Sequence, residues 1–139
     1  MKRVIHAELY RIIDGEPEFL LIKRVPDDGG FWQPVTGGIE EGEDVGTSLL
    51  REVAEETGVT NILHVSRELH RTVWDYNGGE GSDLVHAVQV HHESEIVLNP
   101  LEHNQYDWLP FEQALARLYF DGNKESMRIV YKYIRNRHS

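Results

Sequence analysis

Apolar and polar residues alternate over residues 3–13, with Ile5, Ala7 and Leu9 on one side and His6, Glu8 and Tyr10 on the other. That period of two predicts a strand with one buried face. Asp14-Gly15-Glu16-Pro17 carries turn chemistry, and the unbroken run Phe19-Leu20-Leu21-Ile22 then predicts a second strand buried on both faces. Lys23 and Arg24 close this strand, residues 26–30 read as a loop, and Phe31-Trp32-Gln33-Pro34-Val35 leads into a glycine pair. Over residues 44–56 the period becomes helical, with Leu49, Leu50, Val53 and Ala54 as the apolar stripe. Asp44 suits the helix start, and Thr57-Gly58 supplies a stop whose glycine can turn left-handed. Strand-like runs return at residues 61–69, 71–76 and 83–91, with 77–82 as a loop, and once more at 106–109. Helical spacing closes the chain: Phe111, Ala114, Leu115 and Leu118 follow Pro110, and Met127, Val130, Tyr131 and Ile134 form a second set. This order predicts an α/β (α+β) sandwich, a mixed sheet between helices.

Composition narrows the reading. A chain of 139 residues that is 40% hydrophobic predicts one domain over residues 1–139. There are no cysteines, which excludes disulfides, thiolate zinc sites and cysteine nucleophiles. Met1-Lys2-Arg3-Val4-Ile5 begins like a signal peptide, but His6, Glu8 and Arg11 interrupt any apolar run. No segment approaches the ~20 apolar residues needed to span a bilayer, so no membrane partner and a cytoplasmic setting are expected. A formal net charge of −10 argues against binding duplex nucleic acid, which needs a basic face. A polyphosphate substrate would have to be recruited through bound cations and a few local basic residues.

The sharpest chemical signal lies on the first helix. Glu52, Glu55 and Glu56 stand at i, i+3 and i+4, so they share one helix face. At about 5 Å and an effective dielectric near 20, each like-charge pair costs roughly 3 kcal/mol unless a cation fills the gap. Magnesium, which takes oxygen ligands and completes its shell with water and phosphate, suits such a site, with manganese as the other choice. The histidines, His91-His92 included, lack zinc-binding spacing and read as a solvated strand end.

The stretch from Gly37 through Glu43 to Arg51-Glu52-Val53-Ala54-Glu55-Glu56-Thr57-Gly58-Val59 resembles the Nudix box at every fixed position. The resemblance implies an α/β/α sandwich with a loop-helix-loop that binds metal through Glu52, Glu55, Glu56 and the Gly37 carbonyl, and a hydrolase that cuts phosphoanhydride bonds. It further implies an ion pair between Arg51 and Glu43. It gives Glu102, on a loop before residues 106–109, the role of a further ligand or of the catalytic base. Adjacent loop residues point apart, so at most one of Glu102 and His103 is expected to face the metals.

The segment Phe31 to Gly38, Glu40 to Glu43, and the later run Glu102-His103-Asn104-Gln105-Tyr106-Asp107-Trp108-Leu109 resemble dihydroneopterin triphosphate pyrophosphatases, also labelled dATP pyrophosphohydrolases. A small di- or triphosphate substrate is therefore expected, cut to a monophosphate and pyrophosphate by a monomer or homodimer. Arg24, at the end of a buried strand, is placed to pair with phosphate; Trp32 can stack on a ring or pack in the core, and Gln33 beside it joins the substrate contacts. Tyr76 lies where dinucleoside polyphosphate hydrolases tend to carry a tyrosine, which makes these the second substrate class. A third reading is a Nudix domain that only binds nucleotides, although such domains commonly lose box glutamates and this chain keeps them.

Overall fold

The computed structural model describes residues 2–76 and 79–138. Eight strands form one mixed sheet: β1 (Lys2–Ile13), β2 (Glu16–Arg24), β3 (Trp32–Gln33), β4 (Val35–Gly38), β5 (Ile62–Val65), β6 (His70–Tyr76), β7 (Gly79–Val90) and β8 (His103–Pro110). Three helices accompany them: α1 (Val45–Thr57), α2 (Phe111–Arg117) and α3 (Asp121–Arg137). β1 is central. Antiparallel β4 and β2 share one of its edges, and β7 runs parallel to it along the other. β8 and β3 pair with β2, while β5 and β6 pair with β7.

Both faces of the sheet are covered. On one, Leu49 and Val53 of α1 pack with Ile5, Ala7, Leu9, Leu20, Ile22, Val35 and Val88. On the other, Ala114, Leu118, Met127, Val130 and Ile134 of α2 and α3 pack with Tyr10, Phe19, Leu21, Val85 and Ala87. This is the expected α/β/α arrangement, and it corrects the reading of β1 as a strand with one wet face. His6, Glu8 and Tyr10 are as buried as Ile5, Ala7 and Leu9, because each side of β1 meets a helical layer. The His6 imidazole lies directly against one oxygen of the Glu8 carboxylate, while Glu8 Oε1 has no hydrogen-bond partner among the described residues.

The start of β7 also differs from expectation. Residues 79–82, expected in a loop, continue the strand, where Gly81 lets the Trp74 ring lie over its backbone; a Cβ there would meet the indole at 2.1 Å. Residues 77 and 78 lie outside the described residues.

Helix α1 begins and ends as its sequence dictates. Asp44 accepts a hydrogen bond from the Thr47 amide at 2.7 Å, and Gly58, at φ 73°, donates its amide to Ala54 O at 2.9 Å. Its buried face is rotated from the predicted stripe. Ser48, Leu49, Glu52, Val53, Glu56 and Thr57 face inward, whereas Leu50 is 48% exposed. Leu49 and Val53 are one turn apart and suffice to seat the helix, so the flanking carboxylates at Glu52 and Glu56 are carried down with them. Truncating that seat should loosen the whole element. Leu49→Ala is expected to cost about 2–5 kcal/mol of unfolding free energy in a urea titration.

Candidate metal and phosphate site

The loop before α1 and the first turns of the helix are tied together by Arg51. Its Nε and Nη2 donate to the two oxygens of Glu43 at 2.8 and 2.9 Å, a bidentate pair, and Nη2 also reaches Gly38 O at 3.2 Å. Nη1 donates to Glu52 at 2.9 Å and to Glu55 at 3.3 Å. Ser48 Oγ and the Glu40 amide add hydrogen bonds to Glu43. Arg51, followed by Ser48, holds the Glu43 carboxyl down to a pKa of about 2. The ion pair expected between Arg51 and Glu43 is present.

The three helix glutamates are not equivalent. Glu52 lies against Gly37, where a Cβ would come within 2.0 Å of the Glu52 carboxyl carbon. Only glycine allows this approach of backbone to carboxylate. Burial pushes the Glu52 pKa up. Glu55 stays in solvent, 57% exposed, and leans on Arg51. Glu56 is buried and belongs to a different set, in which Glu56, Glu102 and His103 bring one donor atom each within 4.8 Å of one another.

That set brings both Glu102 and His103 to one carboxylate, where at most one of the two was expected to face the metals. The β2/β8 register shifts between Lys23, which pairs with Gln105, and Arg24, which pairs with His103. Glu102 lies in the turn that precedes β8, its carbonyl accepting from the Val25 amide, and His103 is the first residue of the strand, so these neighbours are not bound by strand alternation and reach the same carboxylate. His103 Nδ1 lies 2.9 Å from Glu56 Oε2. Burial raises the Glu56 pKa, but the contacts with His103 and Glu102 outweigh it, and the net direction is down. Glu102 moves the other way, pushed up by the close Glu56 carboxyl and by burial. The two carboxyls therefore move in opposite directions, Glu56 down and Glu102 up. Arg24, at the end of β2, acts electrostatically on both Glu56 and Glu102.

Trp32 and Gln33 follow each other on β3 and turn to opposite faces. Gln33 Nε2 is 3.3 Å from His103 Nε2. Trp32 packs toward the layer of α2 and α3, with the Arg117 guanidinium 4.9 Å above its ring, and backs a cleft of about 490 Å³ beside β8. Gln33 also lines a second crevice of about 490 Å³, between the sheet and the start of α3, whose walls include Thr36, Thr72, Trp74, Phe120 and Asn123. Trp74 is fixed there by a hydrogen bond from Nε1 to Asp83 at 3.0 Å. Nothing in the linear pattern marks Trp74 as a neighbour of Phe120 and Asn123, since β6 supplies the first and the start of α3 the other two. The Tyr76 side chain lies outside the described residues. His91 and His92 stack with ring centroids 4.5 Å apart just beyond β7.

The residues present fit a divalent cation. Glu56 Oε2 and His103 Nδ1 are buried and have no aligned hydrogen-bond partner among the described residues, and the Gly37 notch admits a carboxylate beside a backbone carbonyl.

Residues 2–131 match the family model of the NUDIX domain. This chain belongs to the Nudix family. Members of the Nudix hydrolase family generally need divalent metal ions, and the acidic set above is where this one offers ligands. The chain is 31% identical over 122 residues to an octanoyltransferase of Myxococcus xanthus, a match covering 81% of this chain and 32% of that protein. It therefore spans about a third of the length of that relative. It is 28% identical over 114 residues to dihydroneopterin triphosphate diphosphatase of Escherichia coli K12, covering 73% of this chain and 75% of that one. Its fold superposes on a crystal structure of an Ap4A hydrolase binary complex from C. elegans with a TM-score of 0.86 at 20% identity, over 98% of this chain and 99% of that one. The Nudix fold is shared; identity at that level carries no substrate.

The Glu43–Arg51 pair makes stability pH-dependent. Its folded pKa lies below the ordinary 4.5, so the pair contributes stability above pH 4.5 that is lost as the pH falls through about 2. Glu43→Gln should have a lower urea midpoint than the parent at pH 6, and the difference should shrink toward pH 2.

Proposed function

We propose that residues 1–139 form a single Nudix domain that hydrolyses a nucleoside or pterin triphosphate to the monophosphate and pyrophosphate. The observation that carries this reading is one residue: Gln33 touches His103 in the carboxylate set and also lines the crevice walled by Trp74 and Phe120. A ring held in that crevice would place its phosphate chain toward Glu56 and Glu102. The similarity to dihydroneopterin triphosphate diphosphatase supports a ring-bearing triphosphate, and Tyr76, where dinucleoside polyphosphate hydrolases tend to carry a tyrosine, keeps dinucleoside polyphosphates as the second reading.

Magnesium or manganese, when bound, supplies a Lewis acid for the phosphoryl oxygens and an acidified water. Glu52, Glu55, Glu56, Glu102 and the Gly37 carbonyl would hold it. Arg24 pairs with a phosphate oxygen, its planar fork suited to two contacts at once. Glu102 takes the proton from the attacking water as the new P–O bond forms and pyrophosphate leaves with the electrons of the broken one. The cleft behind Trp32 already has an occupant for the ring face in Arg117, so stacking of substrate falls to Trp74 and Phe120.

Three measurements test this. A panel of nucleoside triphosphates, dihydroneopterin triphosphate and dinucleoside polyphosphates with magnesium should yield pyrophosphate and a monophosphate; release of ATP from a dinucleoside substrate would favour the second reading. Glu56→Gln and Glu102→Gln should each lower kcat about 100-fold or more with the fold intact by circular dichroism, and full activity in EDTA would overturn the proposal. Phe120→Ala should lower kcat/KM by roughly 5- to 100-fold, the worth of one ring stack, while leaving stability close to the parent.

A further inference from the structure

We infer that His103 is itself a metal ligand, giving the site one position with a mixed nitrogen and oxygen donor set made by His103, Glu56 and Glu102. The inference extends the proposed reading of the acidic face as a divalent-cation site, and goes past the all-oxygen set that the box glutamates provide.

The geometry has three parts. His103 is only 3% exposed, and its Nδ1 and Glu56 Oε2 are 2.9 Å apart without the alignment of a hydrogen bond. Two donors each about 2.1 Å from one ion and at right angles to each other stand about 3.0 Å apart, so this spacing suits neighbouring ligands of one cation. A shared cation satisfies both buried atoms; a misdirected N–H satisfies neither. Second, the Glu102 donor completes a triad within 4.8 Å, close enough to converge by small side-chain rotations. Third, the far nitrogen of the imidazole has a partner. His103 Nε2 is 3.3 Å from the Gln33 amide, and turning that amide end for end presents Oε1 to accept the Nε2–H, leaving the Nδ1 lone pair free for a cation beside Glu56. A ligating histidine is normally held by its other nitrogen in this way.

Donor chemistry sets the consequence. Magnesium takes oxygen ligands, whereas imidazole raises affinity for first-row transition ions, so this position selects cobalt or zinc over magnesium more strongly than carboxylates alone would.

The experiment uses the whole protein loaded with Mn²⁺ as a paramagnetic probe and pulsed electron paramagnetic resonance to detect nitrogen coupled to it. Histidine coupling is expected in the parent, should change from the ¹⁴N to the ¹⁵N pattern when the protein is grown with ¹⁵N-histidine, and should vanish in His103→Gln. The isotope exchange perturbs no packing, so it stands even if the variant folds poorly. Co²⁺ affinity by calorimetry should fall about 10-fold or more in His103→Gln, with Mg²⁺ affinity changed by less than about 3-fold. Bound Mn²⁺ with no histidine coupling would overturn the inference and leave a carboxylate site standing. Coupling that persists in His103→Gln would overturn it by placing the ligand at another histidine. If the parent protein binds no Mn²⁺ at all, the cation reading of the acidic face falls as well.

Discussion

One guanidinium carries the electrostatics of the box. Arg51 lies within 4 Å of four carboxylates, those of Glu40, Glu43, Glu52 and Glu55. Without it, the loop before α1 and the first turns of the helix would bring together like charges with nothing between them. With it, the loop is pinned to the helix, Gly38 O is drawn in, and Glu52 is turned toward Gly37. The fork geometry matters as much as the charge, because a lysine could not hold both oxygens of Glu43 while also reaching Glu52.

The same helix serves packing and chemistry through one register. Leu49 and Val53 anchor it on the sheet, and Glu52 and Glu56 stand next to them at helical spacing. Burial of the apolar pair therefore drags carboxylates into a low-dielectric groove that they would not enter alone. Glu52 and Glu56 are answered differently there: Glu52 has Arg51 and the glycine notch, and Glu56 has His103 and Arg24. Glu55, on the outer edge, is left in water.

The far side of the site comes from the sheet. β2 delivers Arg24 and β8 delivers His103, with Glu102 in the turn just before it. β3 completes the arrangement by splitting two neighbours, Gln33 toward His103 and Trp32 toward α2. On the opposite face the polar core of β1 sets His6 against Glu8 within one strand.

What the sequence determined by itself was local. The period of α1, its Asp44 and Gly58 ends, the doubly buried run Phe19 to Ile22 and the helical spacing of the last quarter all arise from contacts a few residues apart, so they are legible in one dimension. The Arg51–Glu43 pair was expected from the resemblance to the Nudix box and not from the period of the chain. Tertiary structure decided the rest. Whether His6 and Glu8 meet water depends on α3, over a hundred residues away; whether Leu50 is buried depends on the angle at which α1 seats; and the meeting of His103 with Glu56 depends on where β8 and α1 come together. The crevice of Trp74, Phe120 and Asn123 draws on strands and a helix whose adjacency is set by sheet order. Strand pairing, helix tilt and register are properties of long-range packing, and no pattern along a single strand encodes its neighbours.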